Sequence, residues 1–510
     1  MDGLSVRKPS ATEQYAPLRS ASFAGAWAGG EEDKGGDDPE CAAFIPGTLS
    51  LTKTAIGSGV LGLPFALATT GWLVGGVVML LTWLGSFAGQ SMLFACAHRV
   101  GGKSTSWYTL AERTQPWMSF AVDAVIALKC VGVTVSYLIV IGGLMPQASA
   151  TLFGTTAGTL LAGKTFWITV AGFGIAAPLC CLKNLSALRF SSAFGLFTII
   201  YVASLIVVFA VAHDATHACT ASPCFVGISA WPESALRLLE SIPIFVFAFQ
   251  CNTNVFMIFN EAPSAEPRLT VSRFVLPAHV TMLVIDALVA YAGFLLYGSN
   301  IKSNVLSGNF PADSIPVAIG RLCMSLAVAV SIPLQFFPAR VCILNLCDAA
   351  RKWWQRRKRS SSSATGDEAG LEELGLALSE TSTIKGNDLS TAMLSGDADP
   401  SDPLTGSSTS SAPASTNAAA DPNAARGTLY WTVSVVMFLS AYWIAYAVNS
   451  LGLVYELVGA TAATMMSYTL PGLYVYALFP ETVWLRRCGA AFAAFGLTVM
   501  VVSFVGIFAP

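Results

Sequence analysis

Apolar residues in this chain come in runs of about 20 separated by short polar stretches, and about 20 residues is the length a helix needs to cross a ~30 Å hydrocarbon core. Eleven such runs can be read, at roughly 46–68, 72–97, 118–147, 165–182, 190–212, 238–259, 271–297, 313–347, 428–448, 452–478 and 485–508. Two polar regions interrupt the series. Residues 1–45 have no apolar segment of the signal-peptide kind and read as a disordered tail, so the first span must itself act as the targeting signal. Residues 348–427 open on a basic run and continue in Ser, Thr, Ala, Gly and Asp, too poor in apolar residues to build a core. The pattern predicts an all-α polytopic membrane protein with four regions: the tail (1–45), eight spans (46–347), a basic then disordered loop (348–427) and three further spans (428–510).

Composition agrees, with 54% hydrophobic and 11% charged residues against about 25% charged in a soluble domain. A secreted disulfide scaffold, a nucleic-acid binder and an ordinary cytosolic enzyme are excluded. The net charge of -2 hides a division. Residues 1–45 hold eight acids and four bases, and residues 360–426 hold ten acids and two bases, leaving twelve acids and twenty-two bases in the apolar body. With a cytoplasmic N-terminus, sixteen bases fall in inside loops, and only Lys164, Arg237 and Lys302 fall outside. That is a strong positive-inside bias, and an odd number of spans then puts the C-terminus outside or in a lumen.

Other features fit this orientation. Of twelve cysteines, only Cys219 and Cys224 fall in an outside loop, the side where a disulfide persists. They are either a disulfide or two free thiols. The triplet Asn184-Leu185-Ser186 falls inside, where glycosylation would not use it. Tyr15-Ala16-Pro17-Leu18 fits a tyrosine-based sorting pattern, though one so short also arises by chance. The run from Arg351 to Arg359 is either a stop-transfer anchor or a site for anionic lipid headgroups, at ~1 kcal/mol per base.

Two spans are damaged as helices. The first contains Gly57-Ser58-Gly59-Val60-Leu61-Gly62-Leu63-Pro64, and glycine costs a helix interior about 1 kcal/mol and proline about 3. Backbone groups freed at membrane depth survive only where they line a cavity or are buried in protein. The sixth carries Gln250-Cys251-Asn252-Thr253-Asn254 between two apolar stretches. Spans one and six open two five-helix sets, and interruptions at matching positions of two halves point to a transporter built from inverted repeats with a midplane site. Half-helix N-termini there attract an anion, while unwound carbonyls receive a cation. A free amino acid needs both at once.

At these residues the sequence resembles the amino acid/auxin permease family, which includes sodium-coupled neutral, proton-assisted and vacuolar amino acid transporters. The matching stretches are Lys53 to Pro64, Phe247 to Asn252, Phe259-Asn260-Glu261, Ser331-Ile332-Pro333 and Phe337 to Arg340. The resemblance implies a LeuT-type fold, a 5+5 inverted repeat of eleven transmembrane helices with helices 1 and 6 broken. It implies that Gly57, Ser58 and Gly59 cradle the substrate carboxylate. Phe249, Gln250, Cys251 and Asn252 match the unwound stretch that meets the amine and side chain. Ser331 matches a hydroxyl residue that helps ligate sodium in sodium-coupled members. Those members carry Asn where this chain has Lys53. An ammonium there would replace a sodium ion, unless Lys53 snorkels to the cytoplasmic surface.

Asp123, Lys129, Asp286, Arg321 and Glu456 also fall within spans, and a charge at membrane depth is a functional hypothesis by default. Asp286 is the nearest to mid-helix, either a proton site or one half of a structural ion pair with Lys129 or Arg321. Glu261 would cap or gate against Arg268 or Arg273. His98, His213, His217 and His279 make no metal-ligand set, and no phosphate-binding Gly-x-x-x-x-Gly-Lys motif is present. The expectation is therefore a secondary active transporter of neutral amino acids, with H+ rather than Na+ as coupling ion or with none, and no other cofactor. A sensing receptor with the same site is the alternative, and a channel is disfavoured. Its membrane is a plasma membrane or that of a lysosome- or vacuole-like organelle.

Overall fold

The structure is a computed structural model that describes residues 57–101, 105–155, 158–181, 189–212, 229–261, 271, 275–307, 310–311, 313–362 and 422–508. Among these residues all regular structure is helical. A short 3-10 turn, Ser58–Leu61, leads into α1 (Leu63–Thr70), where Pro64 occupies the first turn, the place where its missing N–H costs nothing. Gly71 then turns the chain at φ 79°, and a Cβ there would stand 2.7 Å from the Ala230 carbonyl. Only glycine satisfies both demands. The backbone pairs across this contact, Trp72 N–H to Ser229 O and Val74 N–H to Ala230 O.

The next helices are α2 (Trp72–Val100), the short α3 (Trp107–Thr114) and α4 (Pro116–Phe153). Then α5 runs as Lys164–Thr169, a π-helical stretch Val170–Ala176 and Ala177–Cys181, and is followed by α6 (Arg189–Val211). The sixth predicted span is split into α7 (Ala235–Ala248) and α8 (Val255–Glu261), joined through a 3-10 turn at Asn252–Asn254. After α9 (Leu276–Tyr297), α10 (Ile315–Ser362) is continuous over 48 residues with Pro333 and Pro338 inside it. The chain ends with α11 (Pro422–Ala447), α12 and α13 (Val483–Phe508). The twelfth, α12, is built of Leu451–Val458, π-helical stretches Gly459–Ala463 and Met465–Thr469, and Leu470–Leu478.

The chain is an all-helical, multi-span membrane protein: among the described residues seven helices are long and apolar enough to cross a bilayer. The other predicted spans are shorter, split or π-distorted. Within its most apolar window α4 is 72% buried and α13 only 22%, so α4 is the central element and α13 turns most of its apolar surface outward, as a lipid-facing helix does.

Three boundaries differ from the sequence reading. The eighth span does not stop near 347, because no Gly or Pro follows Pro338 and α10 propagates through the basic run to Ser362. The segment 348–362 is thus helix, not loop. The ninth begins at Pro422. And α3 was not predicted: it is amphipathic and short, and its start is set by a capping box in which Thr109 N–H donates to Ser106 Oγ and Ser106 N–H to Thr109 Oγ1.

A candidate substrate site at two interrupted helices

The carbonyls of the first interruption are satisfied partly from elsewhere in the fold and partly within the 3-10 turn itself. Tyr455 Oη on α12 donates to Ser58 O at 2.6 Å, Val305 N–H to Leu61 O at 3.1 Å, and Gly62 N–H to Gly59 O at 3.0 Å. Irregular backbone persists at this depth because protein groups replace the lost helical bonds. The second interruption is treated likewise. Ser86 Oγ on α2 donates to Phe249 O at 2.7 Å, and Asn252 Nδ2 to Met466 O in the π-helical part of α12 at 3.1 Å.

The two interruptions touch. A Cβ on Gly59 would lie 2.9 Å from Ala248 Cα, at the last residue of α7. Gly59 is therefore a contact glycine, of the small-residue kind that lets membrane helices approach closely. Beside it, the Phe247 and Tyr455 rings stack with centroids 4.6 Å apart. Gly57 differs: no atom of the described residues lies within 4 Å of the position its Cβ would take. It opens on a cavity of about 50 Å³ lined by Gly57, Ser58, Tyr137, Ile199, Met324 and Ser331, among others, where a single water needs ~10–15 Å³. This cavity lies among the first interruption, α4, α6 and α10. Ser331 lines it while its hydroxyl donates to Ala327 O at 2.7 Å.

The predicted site residues thus fall into two groups. Gly57, Ser58 and Ser331 share the cavity with Tyr137, which sequence reasoning missed because nothing marks one tyrosine in the apolar run of α4. Phe249, Gln250, Cys251 and Asn252 do not line it. They are buried on the far side of the contact, facing α2, α9 and α12. There Cys251 Sγ lies 3.2 Å from Gln90 Oε1 and 3.5 Å from His279 Nε2. The thiol's single hydrogen is donated to Gln90 Oε1, and His279 Nδ1–H donates to Val275 O at 2.9 Å, since a carbonyl only accepts.

The proposed ion pair of Asp286 is not formed. Lys129 Nζ donates to Thr253 Oγ1 at 2.8 Å, in the second interruption, and Arg321 Nε to Leu306 O at 2.9 Å. Asp286 is 1% exposed, and neither of its carboxyl oxygens has a hydrogen-bond partner among the described residues. The salt bridges among the described residues, Arg99–Glu481 and Arg237–Glu240, join exposed or half-exposed side chains. Lys53, Cys219 and Cys224 lie outside the described residues, as do Arg268 and Arg273, the suggested partners of Glu261.

Residues 42–509 match the family described as transmembrane amino acid transporter protein. The chain belongs to that family. It is a multi-pass amino acid transporter, not an enzyme. It is 27% identical to vacuolar amino acid transporter 7 of Saccharomyces cerevisiae, over 91% of this chain and 97% of that one. Vacuolar amino acid transporter 5 of Schizosaccharomyces pombe is 32% identical, over 59% of this chain and 68% of the relative. A solved structure of Mhp1, a nucleobase-cation-symport-1 family transporter, superposes with a TM-score of 0.46 at 14% identity, covering 91% of this chain and 89% of the other. Family membership leaves the coupling ion of the transporter undetermined.

Proposed function

We propose that this transporter is a secondary active carrier of neutral amino acids that works by alternating access around the paired interruptions, in a LeuT-type arrangement of eleven spans. The observation that carries the reading is the direct contact of the two interruptions at Gly59 and Ala248, with the small cavity opening at Gly57. Half-helices meeting at one point can rock as units in an inverted-repeat carrier, and α7 is separated from α8 by an irregular stretch and a 3-10 turn rather than by continuous helix. The hydroxyls of Ser58, Tyr137 and Ser331, together with backbone groups of the interruption, suit the carboxylate of an amino acid or a small cation.

The reading includes proton coupling or none, in preference to sodium, and an N-terminus on the cytoplasmic side. The vacuolar naming of its relatives supports an acidic organelle as its membrane, where a proton gradient is the available driving force. Purified transporter in proteoliposomes, given labelled alanine or glutamine, is expected to accumulate it when a pH gradient is imposed. Accumulation that requires a sodium gradient and ignores pH would overturn the proton reading. Binding of both amino acids with no flux under any gradient would overturn transport in favour of a receptor.

A further inference from the structure

Lys129 lies about 20 Å from the start of α4 at 1.5 Å per residue and is 7% exposed. An ammonium has three hydrogens to place. One goes to Thr253 Oγ1, and no carboxylate of the described residues lies within salt-bridge distance. The charged and titratable groups of the surrounding elements are directed elsewhere. On its own helix, Asp123 hydrogen-bonds Cys342 and Asn345 of α10. From α10, Arg321 serves Leu306 O and Arg340 stacks on Tyr430 at 4.2 Å. From α12, Glu456 is influenced by Glu240 and Arg237. From α5, Lys164 binds Val448 O and Asn449 Oδ1. Glu112 and Arg113 of α3 are exposed. The titratable groups that act electrostatically on Lys129 are the thiols of Cys130 and Cys251.

We propose that Lys129 is the group that takes up and releases the coupling proton, and that Thr253 ties its charge to the movement of α8. This rests on the proton-coupled reading above. As an ammonium, Lys129 donates to Thr253 Oγ1; as a neutral amine, it accepts from the same hydroxyl. Gln250 Nε2, 3.4 Å from Thr253 Oγ1, donates to that oxygen in either case. Thr253 stands in the 3-10 turn from which α8 springs. The free energy of protonation therefore depends on where that half-helix stands, and by reciprocity the proton biases its position. One proton from water on one face binds the Nζ lone pair and leaves from Nζ to water on the other, with no other bond made or broken. Asp286 is the rival buried acid, but no hydrogen bond joins it to either interruption.

The test uses full-length protein in proteoliposomes with labelled alanine, glutamine, glutamate and arginine, each assayed for pH-driven accumulation and for counterflow at equal pH. The wild type is expected to accumulate at least one of them. Lys129→Gln and Lys129→Arg are expected to lose that accumulation tenfold or more, keep counterflow within threefold, and show a flat profile between pH 5 and 8. Thr253→Val, which removes the hydroxyl shared by Lys129 and Gln250, is expected to move the midpoint of the wild-type pH profile by one unit or more. Asp286→Asn is expected to leave the profile in place. Wild-type pH dependence in both Lys129 variants overturns the assignment, as does a flat profile in Asp286→Asn alone. If the lysine variants lose counterflow as well, an unmoved midpoint in Thr253→Val overturns it. Wild-type flux with no pH response overturns both this proposal and proton coupling, whereas absence of wild-type flux and counterflow overturns transport itself.

Discussion

Two glycines five atoms of backbone apart do different work. Gly57 faces open space, so Gly57→Val should yield a folded, membrane-inserted protein that no longer takes up amino acid, because the side chain would fill the cavity. Proteoliposome uptake beside detergent-solubilised thermal stability checks this, and unchanged uptake would reduce the interruption to a packing feature. Gly59→Val should instead destabilise the fold by about 1–3 kcal/mol through overpacking against Ala248. Tyr455→Phe removes the donor to Ser58 O and should cost about 1–3 kcal/mol for the orphaned carbonyl, seen as a lowered Tm with the spans intact. The glycines stood out in the sequence as helix breakers in an apolar run, whereas Ser331 was singled out only through the family resemblance. Tyr137 and the Lys129–Thr253 bond were not legible: the second joins residues 124 positions apart, and no local pattern carries that information.

At the scale of elements, the interruption of the sixth span was visible in composition, and the helix indeed stops at Ala248 and resumes at Val255. What composition hid was how the new ends are held. Asn260, near the end of α8, accepts from Thr105 N–H at 3.1 Å and donates to Thr105 O at 2.9 Å, so the half-helix is tied to the strand of chain that leads into α3. Asn260→Ala should release that tie. Hydrogen exchange should then quicken over residues 105–114 by severalfold while the amides of α4 are unaffected; equal protection in the variant would mean that the cap at Ser106 alone holds α3. The π-helical stretches of α12 were equally invisible. Their side chains are ordinary, and the widened turn follows from contacts such as Asn252 to Met466 O that exist only once the fold has formed.

For the whole molecule, the proposed orientation follows from where Lys and Arg fall rather than from any contact. Cysteines introduced at Arg487 and Trp231, both exposed positions, should label from opposite faces of sealed vesicles: Arg487→Cys with the cytoplasmic-side reagent and Trp231→Cys from the other side. The reverse result would invert the topology and the assignment of an inner and an outer half to each interrupted helix. That the chain is an all-helical multi-span membrane protein was readable because long apolar runs are a strong signal. The short and distorted spans are where the run lengths and the helices part company, since a π stretch or a break spends residues without advancing along the membrane normal.

The length of α10 has a mechanical meaning. From Ser331 at the cavity to Arg351 at the start of the basic run is 20 residues of one helix, about 30 Å at 1.5 Å per residue. Pro333 and Pro338 lie between them, each removing a backbone donor and so softening the helix at that point. The element is a rod with a pivot just beyond the cavity, and a tilt of only ten degrees about that pivot sweeps its far end through roughly 4–5 Å by the same rise. The tryptophans at 353 and 354 ride on that end with about half their surface exposed, so in a variant whose other ten tryptophans are replaced their emission would gauge motions that begin at the cavity.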